Sequence, residues 1–249
     1  MKQVFLSVFA LLLLVSCQKE EGGATTGEAS LASFKSDWVT SKLDASLQKA
    51  DANTVCYLFS KEELNQLLAN EQLGKVRFVL GLTDGKLDMK TVGVTNDGTY
   101  LGIVNSLMIS DESFNNQIVA LSSSTIEFES DDEIIDAHIL NPKTAFAYIK
   151  NWNVKLAENQ DVSNVVSYDN LRINHFSIEK EVIDKVSDLP DFKFLGVVFG
   201  VNPQGKLTTV LFGLDSERNI ILPANEFNNR EDYSPSIFDF TKPCPSTCD

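Results

Sequence analysis

The side chains best suited to catalysis are few in this 249-residue chain, and they stand far apart. It has two histidines, His138 and His175, and 35 Asp and Glu residues against 21 Lys and Arg. The sequence contains no Gly-x-Ser-x-Gly nucleophile turn, His-Glu-x-x-His zinc motif or phosphate-binding glycine loop. These residues favour binding over catalysis, and we expect no cofactor. The enzymatic alternative is a hydrolase that uses a pair of carboxylates.

An acidic run, Asp131–His138, precedes the first histidine. Carboxylates at this density can bind Ca²⁺, but an ordered calcium loop needs regularly spaced ligands and a central glycine, which this run lacks. We therefore predict a solvated acidic turn and no metal site. His175 stands beside Phe176 and is predicted to be a capping or partly buried histidine at the start of a helix.

The charge and composition limit the partners of the protein. Its formal net charge is −14, which argues against a nucleic-acid partner, because such binding depends on a surplus of Lys and Arg. Hydrophobic residues make up 43% of the chain and charged residues 22%, as in ordinary globular proteins.

Residues 1–16 have the pattern of a secretory leader: Lys2, a twelve-residue apolar run from Val4 to Val15 and the small Ser16. The sequence that ends at Cys17 resembles the lipobox of bacterial lipoproteins. This resemblance implies cleavage before Cys17 and acylation of its sulfur and new amino group, although a plain cleaved leader that happens to end near a cysteine is the alternative. Because several acyl chains form a stable anchor, we expect a protein that is tethered to a membrane and does not span it.

The charged residues Lys19, Glu20 and Glu21 follow the lipobox. They resemble the export signal of surface lipoproteins in Bacteroidota, which implies an outer-membrane protein that faces outward; a periplasm-facing position is the alternative. Residues 17–32 lack an apolar period and are predicted to be a flexible linker spanning roughly 20 Å.

The rest of the chain repeats one pattern. Val76–Leu82 aligns with Leu195–Val201 at an offset of 119 residues, with a glycine at the same place in both. Gly85-Lys86-Leu87 then matches Gly205-Lys206-Leu207, one residue further on. We interpret this agreement as an internal duplication; two unrelated hairpins with similar turns are the alternative.

The predicted repeats are residues 33–138 and 139–249. Each is expected to hold helices followed by a three-stranded meander, packed together as an α+β fold about a pseudo-twofold axis. In the first repeat, Ser60 and Glu63 form a capping box that starts a helix over residues 61–68. In the second repeat, Phe176-Ser177 is predicted to start the corresponding helix.

Further elements are predicted from local patterns. The Asp84-Gly85 pair indicates a tight hairpin turn, and Asn141-Pro142 indicates a helix start. Between the repeats, residues 111–121 are predicted to be a helix and Thr125–Glu129 an edge strand. The pattern does not indicate whether the two halves share one sheet.

The duplicated hairpins and the tail Pro243-Cys244-Pro245-Ser246-Thr247-Cys248 resemble a family of Bacteroidota surface lipoproteins. The resemblance covers most of residues 54–101 and 174–249 and implies an architecture and a location, but no activity. Ser246-Thr247 depart from the Pro and aromatic residue that the family has in this loop.

The leader implies an oxidising compartment, where disulfides form. Since Cys17 is assigned to lipid, we predict that Cys244 and Cys248 form a disulfide. Cys56 lies in an apolar run and is predicted to stay a buried thiol. A metal or redox site at the two C-terminal cysteines is the alternative.

Together these patterns predict a lipid-anchored, non-catalytic binding or interaction module. Its expected partners are a membrane, through the lipid, and a protein or glycan ligand. Trp38, Trp152 and Tyr233 are candidate ligand contacts, although the two tryptophans also suit a core. The alternatives are a carboxylate-dependent hydrolase and a structural subunit of a surface complex.

Overall fold

The computed structural model describes residues 26–47, 54–158, 161–222, 235–239 and 242–245. The helices within these ranges are α1 (Thr26–Thr40), α2 (Leu43–Ser46), α3 (Lys61–Leu68), α4 (Glu112–Ala120), α5 (Glu133–Asp136), α6 (Pro142–Ala157) and α7 (Lys180–Ser187). The strands are β1 (Cys56–Ser60), β2 (Lys75–Thr83), β3 (Lys86–Val94), β4 (Tyr100–Asn105), β5 (Leu107–Ile109), β6 (Ser167–Tyr168), β7 (Leu171–Arg172), β8 (His175–Glu179), β9 (Phe194–Val201), β10 (Leu207–Leu214), β11 (Ile237–Asp239) and β12 (Lys242–Cys244). This content confirms the α+β prediction.

The strands form two five-stranded antiparallel sheets and a small two-stranded one. Sheet A has the order β11-β10-β9-β1-β5, and sheet B has the order β12-β8-β2-β3-β4. Both β1 and β8 are followed by a helix and then by a hairpin in the opposite sheet. The two halves of the chain therefore exchange strands: β1 pairs with the hairpin of the second half, and β8 with the hairpin of the first.

The registers of these two exchanged pairings correspond. Cys56 lies opposite Val198 in sheet A, and His175 lies opposite Val79 in sheet B, so an offset of 119 residues converts one pair into the other. The same offset relates the opposite ends of the pairings. Positions in the two sheets can therefore be compared one by one.

The hydrophobic core has three parts. The largest draws on both sheets; within it the rings of Phe59 and Phe78 meet edge to face at 5.7 Å. The outer face of sheet A packs against α4 and α6 in a second cluster. The outer face of sheet B packs against α1 in a small third cluster that contains Phe34 and Val79. Helices α4 and α6 thus cover the outer face of sheet A, and α1 covers that of sheet B.

Several local predictions are confirmed. The helix predicted over residues 61–68 is α3, with Ser60 accepting the amide of Glu63 at 3.3 Å. The Glu63 carboxylate accepts the Ser60 hydroxyl at 2.7 Å, whereas the capping box predicted that it would reach the backbone. Asp84 and Gly85 both have positive φ, as the predicted tight turn requires. Pro142 is at the start of α6, also as predicted.

Three predictions are wrong. His175–Glu179 is a strand and not the start of a helix, because its backbone pairs with β2 and β12; the helix begins only at Lys180. Residues 26–32 of the predicted linker are helical, since Leu31 packs on sheet B. Thr125–Glu129 forms no strand. The amide of Phe128 donates instead to the Asn141 side chain at 2.9 Å.

Candidate functional site

A cavity of about 510 Å³ lies between α1 and the outer face of sheet B. One wall is the face of α1 from Glu28 to Val39, and the other comes from the sheet and from the residues beside it. The residues of the second wall that matter most are Val79, Val92, Val94, Arg77, Tyr100 and His175. We name this cavity the α1 pocket; its volume is in the usual range for small-molecule sites.

The helix wall is held in place by two aromatic residues. Trp38 is fully buried, and its indole nitrogen donates to the carbonyl of Ile173 at 2.7 Å. Phe34 lies over Gly81, where a Cβ atom would be 2.1 Å from the ring. A glycine is therefore required at this point for α1 to come so close to β2.

The sheet wall has an apolar floor of three valines. Val79, Val92 and Val94 are each at most 4% exposed. They lie on the outer face of the sheet because side chains alternate along a strand, and their neighbours Phe78 and Leu80 point into the core between the sheets. These valines give the pocket an apolar base, and Leu31 and the more exposed Val39 of α1 add apolar surface that a ligand can cover.

Arg77 stands beside this floor, directly opposite Val92 on the neighbouring strand. Its Nε atom is buried and has no hydrogen-bond partner among the described residues. Leaving a buried donor of a charged group without a hydrogen bond costs free energy, so such donors are rare in proteins. Because Arg77 is partly exposed as a whole and lines the cavity, it places a guanidinium cation at the pocket.

Two further polar groups line the pocket. Burial and the nearby Glu28 carboxylate raise the pKa of the Tyr100 phenol, so this group stays protonated and can donate a hydrogen bond. His175 is 8% exposed, with Nδ1 2.7 Å from the Asn174 side-chain oxygen. Lys35 on α1 adds a second cation at the entrance.

The corresponding positions of sheet A are apolar. By register, Arg77 and Val92 correspond to Gly196 and Phe212, which face each other in the same way. His175 corresponds to Cys56, which is fully buried in the cluster beneath α4 and α6. Equivalent positions thus belong to the packed core in sheet A and to a polar pocket in sheet B.

A second cluster surrounds His138, which is 3% exposed. Its Nδ1 lies 2.9 Å from the carbonyl oxygen of Asp239, and its Nε2 lies 3.0 Å from a carboxylate oxygen of Glu179. Through these two contacts the histidine side chain joins β8 to β11.

The prediction of a solvated acidic turn is right about solvation, since Asp131, Asp132, Glu133 and Asp136 are exposed, and wrong about the turn. Residues 133–136 form the short helix α5, capped by the Asp132 carboxylate. The chain then turns inward, and the His138 carbonyl accepts the amide of Asp239 at 2.9 Å. The predicted position of His175 at a helix start is also wrong, because this residue lies in β8.

The other predicted site residues have different outcomes. Cys17, Lys19, Glu20, Glu21, Tyr233 and Cys248 lie outside the described residues, so the lipid, the export signal and the Cys244–Cys248 disulfide stay predictions. Cys56 is a buried free thiol, as predicted, and burial raises its pKa. Trp38 and Trp152 are core residues and not ligand contacts.

Arg77, Tyr100 and the pocket that they line were not predicted from the sequence. One signal was available: Arg77 is a charged residue within the apolar run of β2, where the aligned position of the second half is Gly196.

Within the described residues, no cluster of three or more His, Cys, Asp or Glu side chains could hold a metal ion. No helix in these ranges has the length and apolar content to cross a membrane. Comparison of the chain with protein-family models, with curated proteins and with solved structures found no match.

Proposed function

We propose that the protein is a lipid-anchored outer-membrane lipoprotein, displayed at the cell surface, that binds a small molecule in the α1 pocket without transforming it. The observation that carries the proposal is a cavity of about 510 Å³ in which Arg77, Lys35 and Tyr100 stand beside apolar residues. Such a combination of apolar surface with a few convergent polar groups is typical of ligand sites.

The position of α1 fits an anchored binding module. Thr26 is nine residues after Cys17, so at most about 30 Å separates the start of the helix from an acylated cysteine. One wall of the pocket is thus directly attached to the tether, and the pocket stays close to the membrane surface.

The hydrolase alternative has less support. A carboxylate mechanism needs two acidic groups about 5–10 Å apart in one cleft. Among the described lining residues of the α1 pocket, Glu28 is the single carboxylate.

Internal duplication is also part of the proposal. The matched registers of the exchanged strands and the equal lengths of α3 and α7 support it. A duplicated fold with one sealed and one open outer face would have gained its binding site by specialising one of two like halves.

The anchor is tested by changing its attachment point. In the native host, Cys17→Ala should move the protein from the membrane to the soluble fraction, because the variant lacks the residue that would carry the acyl chains. Fractionation with immunoblotting measures this shift, with Ser16→Ala as a control that should remain membrane-bound. A Cys17→Ala protein that still sediments with membranes would show that another feature holds it there.

The pocket is tested by filling it. Ser36 lines the pocket and Ser33 does not, and both are exposed on α1. In a ligand-detected NMR screen of anionic, neutral and cationic fragments, Ser36→Trp should abolish the hits of the wild type, whereas Ser33→Trp should keep them. The proposal fails if the wild type gives no hits or if Ser36→Trp retains them.

A further inference from the structure

We infer that the ligand of the α1 pocket is a monoanion with an apolar body, such as a monocarboxylic acid, whose charged group binds Arg77 while its body covers the valine floor. This inference rests on the proposed function and specifies the ligand class of the same site.

The charged side chains that line the pocket favour an anion. Arg77 and Lys35 contribute two cations, and Glu28 contributes one anion, so the described lining has a positive formal balance. The whole chain has a formal net charge of −14. The acidic surface around the pocket repels anions. We therefore expect the pocket to bind only those anions whose attraction to its cationic side chains outweighs this repulsion.

The side chain of Arg77 suits a carboxylate. A guanidinium presents paired N–H groups that match the two oxygens of a carboxylate. Arg77 lines the pocket and is partly exposed as a whole, although its Nε atom is buried. A carboxylate in the pocket could accept hydrogen bonds from the guanidinium, and the phenol of Tyr100 could donate to it from β4.

The two sheets differ at the positions that surround the pocket. Gly196 and Cys56 take the positions of Arg77 and His175 in sheet A, where the outer face is sealed by core packing. Val79 corresponds to Val198, so the floor is apolar in both sheets. Sheet B thus differs from sheet A by polar groups beside an apolar floor, which is the pattern that an amphipathic anion requires.

The test compares three probes that share one chain and differ in charge: octanoate, octan-1-ol and octylammonium. Isothermal titration of the wild type should show octanoate binding most tightly. Arg77→Met should weaken octanoate binding by about tenfold to a hundredfold, the range for hydrogen bonds to a charged group, and should leave octan-1-ol unchanged. Arg77→Lys keeps the charge without the paired donors, so its affinity for octanoate should lie between those of the wild type and Arg77→Met.

The control is Lys86→Met, which removes one cation from an exposed position that does not line the pocket. It should bind octanoate as the wild type does. Melting curves of all variants show whether each is folded, and since Arg77 makes no contact through Nε, we expect normal folding.

Two results would overturn the inference while leaving the proposed function intact. In the first, Ser36→Trp removes the fragment hits, but octan-1-ol or octylammonium binds the wild type as tightly as octanoate does. The other is unchanged octanoate binding in Arg77→Met. Absence of any pocket-dependent fragment hit would instead remove the proposed function itself.

The same acid could come from solution or from the bilayer. A series from butanoate to palmitate distinguishes the two sources. Affinity that peaks at intermediate length indicates a compact free acid, and affinity that rises through palmitate indicates a membrane-derived fatty acid. Affinity that is equal along the series would contradict the role of the valine floor.

Discussion

Trp38→Ala should lower the free energy of unfolding by about 3–5 kcal/mol and detach α1 from sheet B. The side chain is fully buried, so the substitution leaves a cavity where the indole packs. It also removes the 2.7 Å hydrogen bond to the Ile173 carbonyl and the ring on which Arg172 stacks at 4.8 Å. Urea denaturation measures the stability loss, and hydrogen exchange of residues 28–39 measures the detachment.

The control is Trp152→Ala, which truncates a second buried tryptophan on α6. It should lower the overall stability while leaving the protection of α1 unchanged. Trp38→Phe retains most of the packing and should cost about 1–2 kcal/mol for the lost indole hydrogen bond. Native protection of α1 in Trp38→Ala would contradict the view that this residue positions the pocket wall.

The elements that the sequence predicts correctly are those with a local cause. The Ser60 cap, the Asp84-Gly85 turn and the helix after Asn141-Pro142 each depend on the preferences of a few neighbouring residues.

The incorrect or missing predictions depend on contacts distant in sequence. His175–Glu179 alternates weakly and is followed by helical spacing, so only its pairing with β2 and β12 reveals a strand. The exchange of β1 and β8 between the halves is set by packing of both sheets around one core, which a local pattern does not contain.

The α1 pocket was missed for a related reason. One wall is a segment that was predicted to be partly linker, and the other combines β2, β3 and β4 with His175, which lies in a strand that was predicted to be a helix. Arg77 could have been noticed as an exception to the apolar alternation, but its role depends on α1 crossing the sheet beside it.

The cluster around His138 gives the protein a pH-dependent stability. Asp239 lies next to this histidine in β11, and burial raises the pKa of its carboxyl from the ordinary 3.8 to about 6, although the charge of His138 opposes the shift. The folded state therefore binds this proton more tightly than the unfolded chain does. The resulting stabilisation is full below about pH 4 and is lost as the pH rises through about 6.

Asp239→Asn should remove this dependence. The amide stays neutral, so at pH 7.5 the variant should be more stable than the wild type by up to about 3 kcal/mol, the equivalent of a shift of about two pH units. At pH 4 the two proteins should have equal stability, because the wild-type carboxyl is then protonated in the fold. Urea denaturation at intervals between pH 4 and 7.5 measures the difference.

Asp131→Asn is the matched control, because Asp131 is exposed in the acidic run before α5. Its stability difference from the wild type should stay within about 0.5 kcal/mol at all pH values. A difference for Asp239→Asn that is flat with pH would mean that folding leaves the pKa of this carboxyl unchanged, and one that grows as the pH falls would mean that folding lowers it. In the second case attraction to the charge of His138 would outweigh burial, and β11 would be held to the sheet partly by charge.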